Sequence, residues 1–205
     1  FNMGCLVVGL TGQTGSGKST VSRILTDCGI PVIDCDRLAR EAVEPGSECL
    51  LQLVQAFGAK ILQQDGSLDR AKMAAIAFPD PEKLEMLNSI THKAILRLLE
   101  KRLEMLVSAG ETLVVVDAPT LFESGADEFC SIVISVIAPE SLRYERILER
   151  DHLEPESAKR RMGAQKDDNF YTGRSDYVLV NDGSVKVLEE RTRQLVRILQ
   201  KKAGE

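Results

Sequence analysis

Apolar positions recur along this chain with two different periods, and the switches between them mark its elements. Cys5-Leu-Val-Val-Gly-Leu10 is an unbroken apolar run of strand length that stops at a glycine-rich turn. From Gly17 to Cys28 the apolar residues Val21, Ile24 and Leu25 recur at helical spacing, and Gly29 just beyond is a natural stop. Ile30 to Ile33 then reads as a second buried strand ending at Asp34-Cys35-Asp36. Strand, glycine loop, helix and strand in that order open a parallel α/β sheet.

The pattern changes over residues 37–109, which read as mostly helical. Leu50, Leu51, Leu53 and Val54 precede a turn near Gly58. Phe78-Pro79-Asp80-Pro81 breaks the chain before a long helix from Glu82 to Val107. This block is expected to be a helical insertion bound to the sheet edge, within one domain spanning 3–205. Strands resume at Leu113 to Asp117 and Ile132 to Ile137. Helices follow from Pro139 to Arg150 and from Pro155 to about Lys166, then a last strand, Tyr177 to Val180, and a closing amphipathic helix, Val185 to Lys202. The expected core is five parallel strands with helices on both faces.

Bulk composition narrows the function without naming it. The 205 residues suit one α/β domain with insertions, and 43% hydrophobic residues suffice for a sizeable core. A net charge of −5 lacks the basic footprint of a nucleic-acid binder, so any phosphate site has to be a local cluster of Arg, Lys and backbone N–H groups. Cys5, Cys28, Cys35, Cys49 and Cys130 are odd in number and never form a C-x-x-C pair, which argues for a reducing, cytoplasmic setting over disulfides or zinc. Met3-Gly4-Cys5 only faintly resembles a lipidation signal, because Val8 stands where Ser or Thr is needed. Phe1-Asn2 reads as a cloning remnant, and no run is long and apolar enough to predict a membrane span.

Gly12-Gln-Thr-Gly15-Ser16-Gly17-Lys18-Ser19 fits G-x-x-x-x-G-K-[ST] between a strand and a helix. Glycines let successive backbone N–H groups face phosphates, and the following helix adds its positive end. In this pattern Lys18 reaches the β- and γ-phosphates, and Ser19 offers a hydroxyl to Mg²⁺. The late strand runs into Asn181-Asp182-Gly183-Ser184, which is not the N-K-x-D guanine reader of a GTPase.

Other candidates lie further along. Strand-end alternation would send the carboxylates of Asp34 and Asp36 the same way, outside the carboxyl ends of the strands where ligands bind. Asp34 suits a helix cap, and Asp36 suits orienting a hydroxyl and accepting its proton. Asp117 ends an apolar strand and reads either as a metal ligand or as the cap of a helix starting near Pro119. Arg143, Arg146, Arg150, Arg160 and Arg161 gather in two helices, as a phosphate-covering lid or as a solvated face partnered by Glu145 and Glu149.

Together these residues resemble the dephospho-CoA kinase family. Val8-Gly9-Leu10-Thr11-Gly12 through Gly15-Ser16-Gly17-Lys18-Ser19-Thr20 resembles V-G-L-T-G-G-x-G-S-G-K-S-T, and Gly29 to Asp36 with Ala39-Arg40 and Val43 resembles G-x-x-x-I-D-A-D-x-x-A-R-x-V. Asp117-Ala-Pro-Thr-Leu-Phe-Glu123 resembles D-x-P-L-L-F-E. Arg146, Arg150-Asp151 and Arg161-Met-Gly-Ala-Gln165 match the family's lid, and Asp176-Tyr177-Val178 with Asn181 match its last strand.

The resemblance implies a P-loop NTPase-like, nucleoside-monophosphate-kinase-like three-layer α/β fold. It would carry a five-stranded parallel sheet, a CoA-binding helical insertion at about 37–109 and a lid at about 146–166. It implies ATP-dependent transfer to the ribose 3′-hydroxyl of dephospho-CoA, with ATP and Mg²⁺ as cofactors, by a monomer or weak homo-oligomer that binds neither nucleic acid nor membrane. Gly12, Gly15, Ser16, Gly17, Lys18, Ser19, Thr20, Arg146 and Arg161 would hold the nucleotide. Asp36, Arg40 and Glu123 would meet the acceptor, with Asp36, Lys18 and Arg150 catalytic and Ser19 and Asp117 on the metal. The chain departs from the pattern at Gln13 for glycine, Thr120 for leucine and Lys93 for the proline after His92. The rivals are a shikimate- or gluconate-type kinase and a non-catalytic nucleotide-binding module.

Overall fold

The computed structural model describes residues 4–205, so the readings at Phe1, Asn2 and Met3 lie outside the described residues. Strand β1 (Leu6–Gly12) is buried on both faces, as a central parallel strand must be. It leads into α1 (Lys18–Asp27), whose buried Val21, Ile24 and Leu25 form one helical stripe. Short β2 (Val32–Asp34) follows, then α2 (Cys35–Ala42), α3 (Glu48–Phe57), α4 (Arg70–Ala77) and α5 (Pro81–Ser108). The α/β alternation returns with β3 (Leu113–Asp117), β4 (Ile132–Ile137), α6 (Glu140–Asp151), α7 (Pro155–Gly163), α8 (Asp168–Thr172), β5 (Tyr177–Val180) and α9 (Val185–Ala203).

The five strands form one all-parallel sheet in the order β2-β3-β1-β4-β5. Leu10 pairs with Asp117 on one side, and Gly12 with Val136 on the other. The chain thus winds away from β1 in both directions, which puts the switch point of the sheet at the carboxyl end of β1, where open α/β sheets bind ligands. Val8 and Leu10 pack with Val21 and Leu25 of α1 and with Leu188, Leu195 and Leu199 of α9. On the other face Gly9 is held close, since a Cβ there would stand 2.7 Å from Leu121 Cδ2.

The chain divides into two compact units. One joins the segment ending at Ile33 to Met105–Glu205, and the other is Asp34–Glu104. The helical unit has a core of its own, in which Cys49, Leu53 and Phe57 of α3 pack with Ile61, Met73 and Ala77. Gly58 closes α3 with φ 87°, a positive-φ conformation that glycine adopts without strain.

Three local expectations need correction. Helix α2 begins at Cys35, two residues before Arg37, because the Asp34 carboxylate accepts from the N–H groups of Asp36 (2.9 Å) and Arg37 (3.3 Å). Strand alternation therefore does not relate Asp34 to Asp36, although Asp34 is the capping member as expected. Helix α7 stops at Gly163, and the separate α8 was not foreseen. Its N-cap is Asp167, whose carboxylate accepts from Phe170 N–H at 3.0 Å. No helix starts at Pro119. The chain runs there through turns into a short 3₁₀ segment, Ala126–Phe129, so there is no helix at Pro119 for Asp117 to cap.

Candidate active site

The loop between β1 and α1 is built from both sides. Gly15 (φ 77°) and Gly17 (φ 99°) take left-handed conformations. A Cβ on Gly12 would meet the Val136 carbonyl at 2.4 Å, and one on Gly17 the Asn181 amide nitrogen at 2.3 Å. Asn181 Nδ2 donates to the Ser16 carbonyl (2.9 Å), and Arg146 Nη1 donates to that of Gly15 (3.0 Å). Because a peptide is planar and trans, holding the Ser16 carbonyl turns the Gly17 N–H the opposite way. Gly17 is the N-cap of α1 and has no side chain to cap it, so the first-turn N–H groups suit an anion.

Lys18 does not reach into solvent. Its ammonium donates to Asp117 Oδ1 at the end of β3, with the two side chains only 18% and 11% exposed. Beside them Thr11 Oγ1 donates to the Pro119 carbonyl at 3.2 Å, which joins the ends of β1 and β3. Ser19, exposed on the first turn of α1, and Asp117 offer a hydroxyl and a carboxylate. Mg²⁺ favours such oxygen donors, and in nucleotide sites it takes one or two from protein and the rest from phosphate and water. Among the described residues no group of three or more His, Cys, Asp or Glu could by itself hold a metal.

The arginines separate into three situations. Arg143 is buried, and its Nε donates to the Ala138 carbonyl at 3.1 Å, so it is held at the start of α6 and is not a flexible arginine. Arg146 touches the phosphate loop. Arg150 and Arg161, both exposed, converge on Asp151, with Arg150 donating at 2.7 and 2.8 Å. Their partner is thus Asp151, not Glu145 or Glu149. The bonds from Arg150 hold the Asp151 carboxyl below the ordinary carboxylate range, and Asp151 in turn raises the Arg150 guanidinium. Helices α6 and α7 share a small core of Ile147, Ala158 and Met162.

Tyr171 of α8 is buried, which pushes its phenol up; the charge of Glu123 adds to the shift and that of Arg143 opposes it. Glu123 itself is exposed in the turns after β3. Three buried side-chain atoms among the described residues lack a hydrogen-bond partner: Gln13 Oε1, Ser16 Oγ and Arg143 Nη1. Two belong to the phosphate loop, and the third to the residue whose backbone carbonyl would lie 2.7 Å from a Cβ on Gly15.

Asp36 and Arg40 lie in the helical unit, both exposed and one turn apart on α2. Within the same unit a groove of about 270 Å³ has Lys93, Arg97 and Lys101 of α5 on one wall and Ser47 and Gln52 on another. His92, half-buried, sits inside the unbroken helix α5, where Lys93 continues the helix.

Sequence reasoning thus found the loop, Lys18, Asp117 and Arg146, which the fold brings together. It did not find that Asp151 pairs with both Arg150 and Arg161, because tertiary packing sets that contact and only the Arg150-Asp151 neighbourhood hinted at it.

Comparison with known proteins identifies the family. A family model described as dephospho-CoA kinase matches residues 6–187. The dephospho-CoA kinase of Corynebacterium diphtheriae is 44% identical over 189 residues, covering 92% of this chain and 94% of that protein. A crystal structure from Thermus thermophilus superposes with a TM-score of 0.81 at 34% identity, covering 95% and 98% of the two chains. Dephospho-CoA kinase from Campylobacter jejuni gives 0.73 at 26% identity, with 96% and 98% covered.

Proposed function

This chain belongs to the dephospho-CoA kinase family and phosphorylates dephospho-CoA with ATP as donor, and on that premise we propose how its own residues divide the work. The observation that carries the reading is the braced loop from Gly12 to Lys18, with the uncapped start of α1 beneath it. Gly12, Gly15, Ser16, Gly17, Lys18, Ser19 and Thr20 bind the triphosphate. Lys18 exchanges Asp117 for the β- and γ-phosphates when nucleotide enters. Ser19 and Asp117 would hold Mg²⁺, which when bound offsets charge on the phosphate oxygens.

Phosphoryl transfer passes through a loose transition state, so positioning and charge neutralisation do most of the work. Residues 146–166 act as the lid. Arg146 is already at the loop, and Arg150 and Arg161 close over the transferring group, neutralising it and expelling water. The helical unit takes the acceptor. Lys93, Arg97 and Lys101 outnumber Glu41 and Glu48 around its groove, and although Arg97 pairs with Glu48, the surplus positive charge favours a ligand bearing phosphate, such as the diphosphate of dephospho-CoA. Arg40 and Glu123 orient the acceptor, and Asp36 positions the ribose 3′-hydroxyl and accepts its proton late. The enzyme works in the cytoplasm as a monomer or weak homo-oligomer on small molecules alone.

The test is ADP release with dephospho-CoA, shikimate, gluconate and nucleoside monophosphates offered in turn, with the product's phosphate located by NMR. Dephospho-CoA should be the acceptor that drives ADP release, with phosphate on the 3′-oxygen. Phosphate at another position, or faster turnover with shikimate or gluconate, overturns the acceptor assignment.

A further inference from the structure

The loop pattern leaves the position after Gly12 open, and here it holds Gln13, only 2% exposed. Its backbone is outside the left-handed region, so the loop's conformation does not ask for glycine there. What the residue adds is its side chain. Gln13 Nε2 donates to Asp168 Oδ1 at 2.8 Å and to the Lys166 carbonyl at 3.3 Å. The next residue repeats the link: Thr14 N–H donates to Gln165 Oε1 at 2.8 Å, and Gln165 Nε2 donates to Thr14 Oγ1 at 2.5 Å. Two consecutive loop residues are therefore tied to residues 165–168, which join α7 to α8.

That joint has one anchored side. Ser175 Oγ donates to the Tyr171 carbonyl at 2.7 Å and also contacts Ser135 of β4, and the Asp176 carboxylate accepts from the Val133 N–H at 2.8 Å. The segment that follows α8 is thus rooted in the sheet, whereas α7 carries Arg160 and Arg161 outward. Residues 165–168 are therefore one of the two connections, with Ala138-Pro139 before α6, where movement of α6 and α7 would be absorbed. Gln13 Oε1, moreover, is buried with no hydrogen-bond partner. A buried amide with an unmet acceptor is a poor way to fill space, which argues that this side chain serves geometry more than stability.

We propose that Gln13 is a positioning residue that locks the phosphate loop to the pivot of the arginine-bearing helices, so that lid closure is registered on the bound phosphates. The inference rests on the reading of residues 146–166 as a lid. Gln13 touches no reacting atom. Its carboxamide sets the distance between the loop that holds the triphosphate and the joint from which Arg161 swings.

The experiment is a double-mutant cycle with Gln13→Met, which keeps length and removes the donor, Asp168→Ala, the pair together, and Asp168→Asn, which keeps an acceptor. Mg·ADP affinity, KM for ATP against kcat, and ATP hydrolysed per acceptor phosphorylated are measured for each. Gln13→Met and Asp168→Ala should each weaken ADP binding and raise KM for ATP by about tenfold, the scale of a lost hydrogen bond to a charged group. Both should raise wasted hydrolysis while kcat changes less. The double variant should be no worse than either single, and Asp168→Asn should return to within about twofold of the parent. Additive losses in the double variant, or a Gln13→Met enzyme with parental KM and hydrolysis ratio, overturn the clamp. Asp168 is exposed, so its variants report even if Gln13→Met folds poorly. The ADP cycle needs no acceptor. A parent enzyme that binds ADP with the expected coupling but does not phosphorylate dephospho-CoA would refute the acceptor and leave the clamp standing.

Discussion

Lys18 and Asp117, 99 residues apart in sequence, are joined by an ion pair across the carboxyl ends of β1 and β3. Lys18 is therefore pre-positioned by a carboxylate, and its removal reaches beyond any loss of binding. Lys18→Ala should lower turnover roughly 10²–10³-fold, the scale of losing a preorganised charge at a transferring group. It should also destabilise the nucleotide-free protein, by about 1–3 kcal/mol, because a largely buried carboxylate loses its cation. Lys18→Ala/Asp117→Ala should recover part of that stability while remaining inactive. Urea unfolding of the three variants without nucleotide checks this, and a Lys18→Ala protein as stable as the parent would mean that the pair contributes nothing.

The strands were legible because apolar runs between glycines leave few alternatives in a parallel sheet, and the phosphate loop because its spacing is tied to its mechanism. The Lys18–Asp117 bond was not, since no local pattern reports which strand end faces a loop so far away in sequence. The start of α2 was misread for a more local reason. Asp34 can both end a strand and cap a helix, and hydrogen bonds to Asp36 and Arg37 decided for the cap. Likewise Arg143 carries the same charge as its neighbours, and only its burial, with Nε bonded to the Ala138 carbonyl just past β4, sets it apart.

Arg150 and Arg161 share Asp151, so each holds the other's partner in place. Removing either should leave folding nearly unchanged, as expected of exposed ion pairs. If the two close over the phosphates, Arg150→Ala and Arg161→Ala should each raise ATP consumed per acceptor phosphorylated, because closure also expels water. A coupled assay reporting ADP and product together reads that ratio. An unchanged ratio returns both residues to an ordinary surface cluster.

The same cluster sets a pH dependence. Asp151 is held below the ordinary carboxylate range, first by the hydrogen bonds of Arg150 and then by the charges of Arg150 and Arg161. A depressed carboxyl stabilises the fold fully above its unfolded value, and that contribution fades as pH falls through the lower, folded value. The joint between α6 and α7 should therefore be insensitive to pH from neutrality down to about pH 5 and loosen only in stronger acid. NMR titration of the Asp151 carboxyl carbon should show a midpoint below that of an ordinary aspartate. A midpoint at or above that value would mean that the arginines do not hold it in solution.

The two acids around the start of α2 should separate cleanly. Asp34 accepts from two backbone N–H groups, a role that asparagine fills nearly as well as aspartate. Asp34→Asn should thus be almost silent, whereas Asp34→Ala should cost about 1 kcal/mol of stability through the lost cap. Asp36 is exposed one residue into the helix, and its side chain is not needed for the cap. Asp36→Asn keeps size and most hydrogen bonding but loses the charge and the ability to take a proton. ATP affinity should hardly move, because it depends on the loop and on Lys18. Turnover should fall roughly 10²–10⁴-fold if Asp36 is a positioned base, and by less if the loose transition state asks little of it. Single-turnover rates and acceptor affinity for the three variants decide the matter. Transfer at the parental rate by Asp36→Asn, together with a dead Asp34→Asn, would reverse the roles assigned to the two carboxylates.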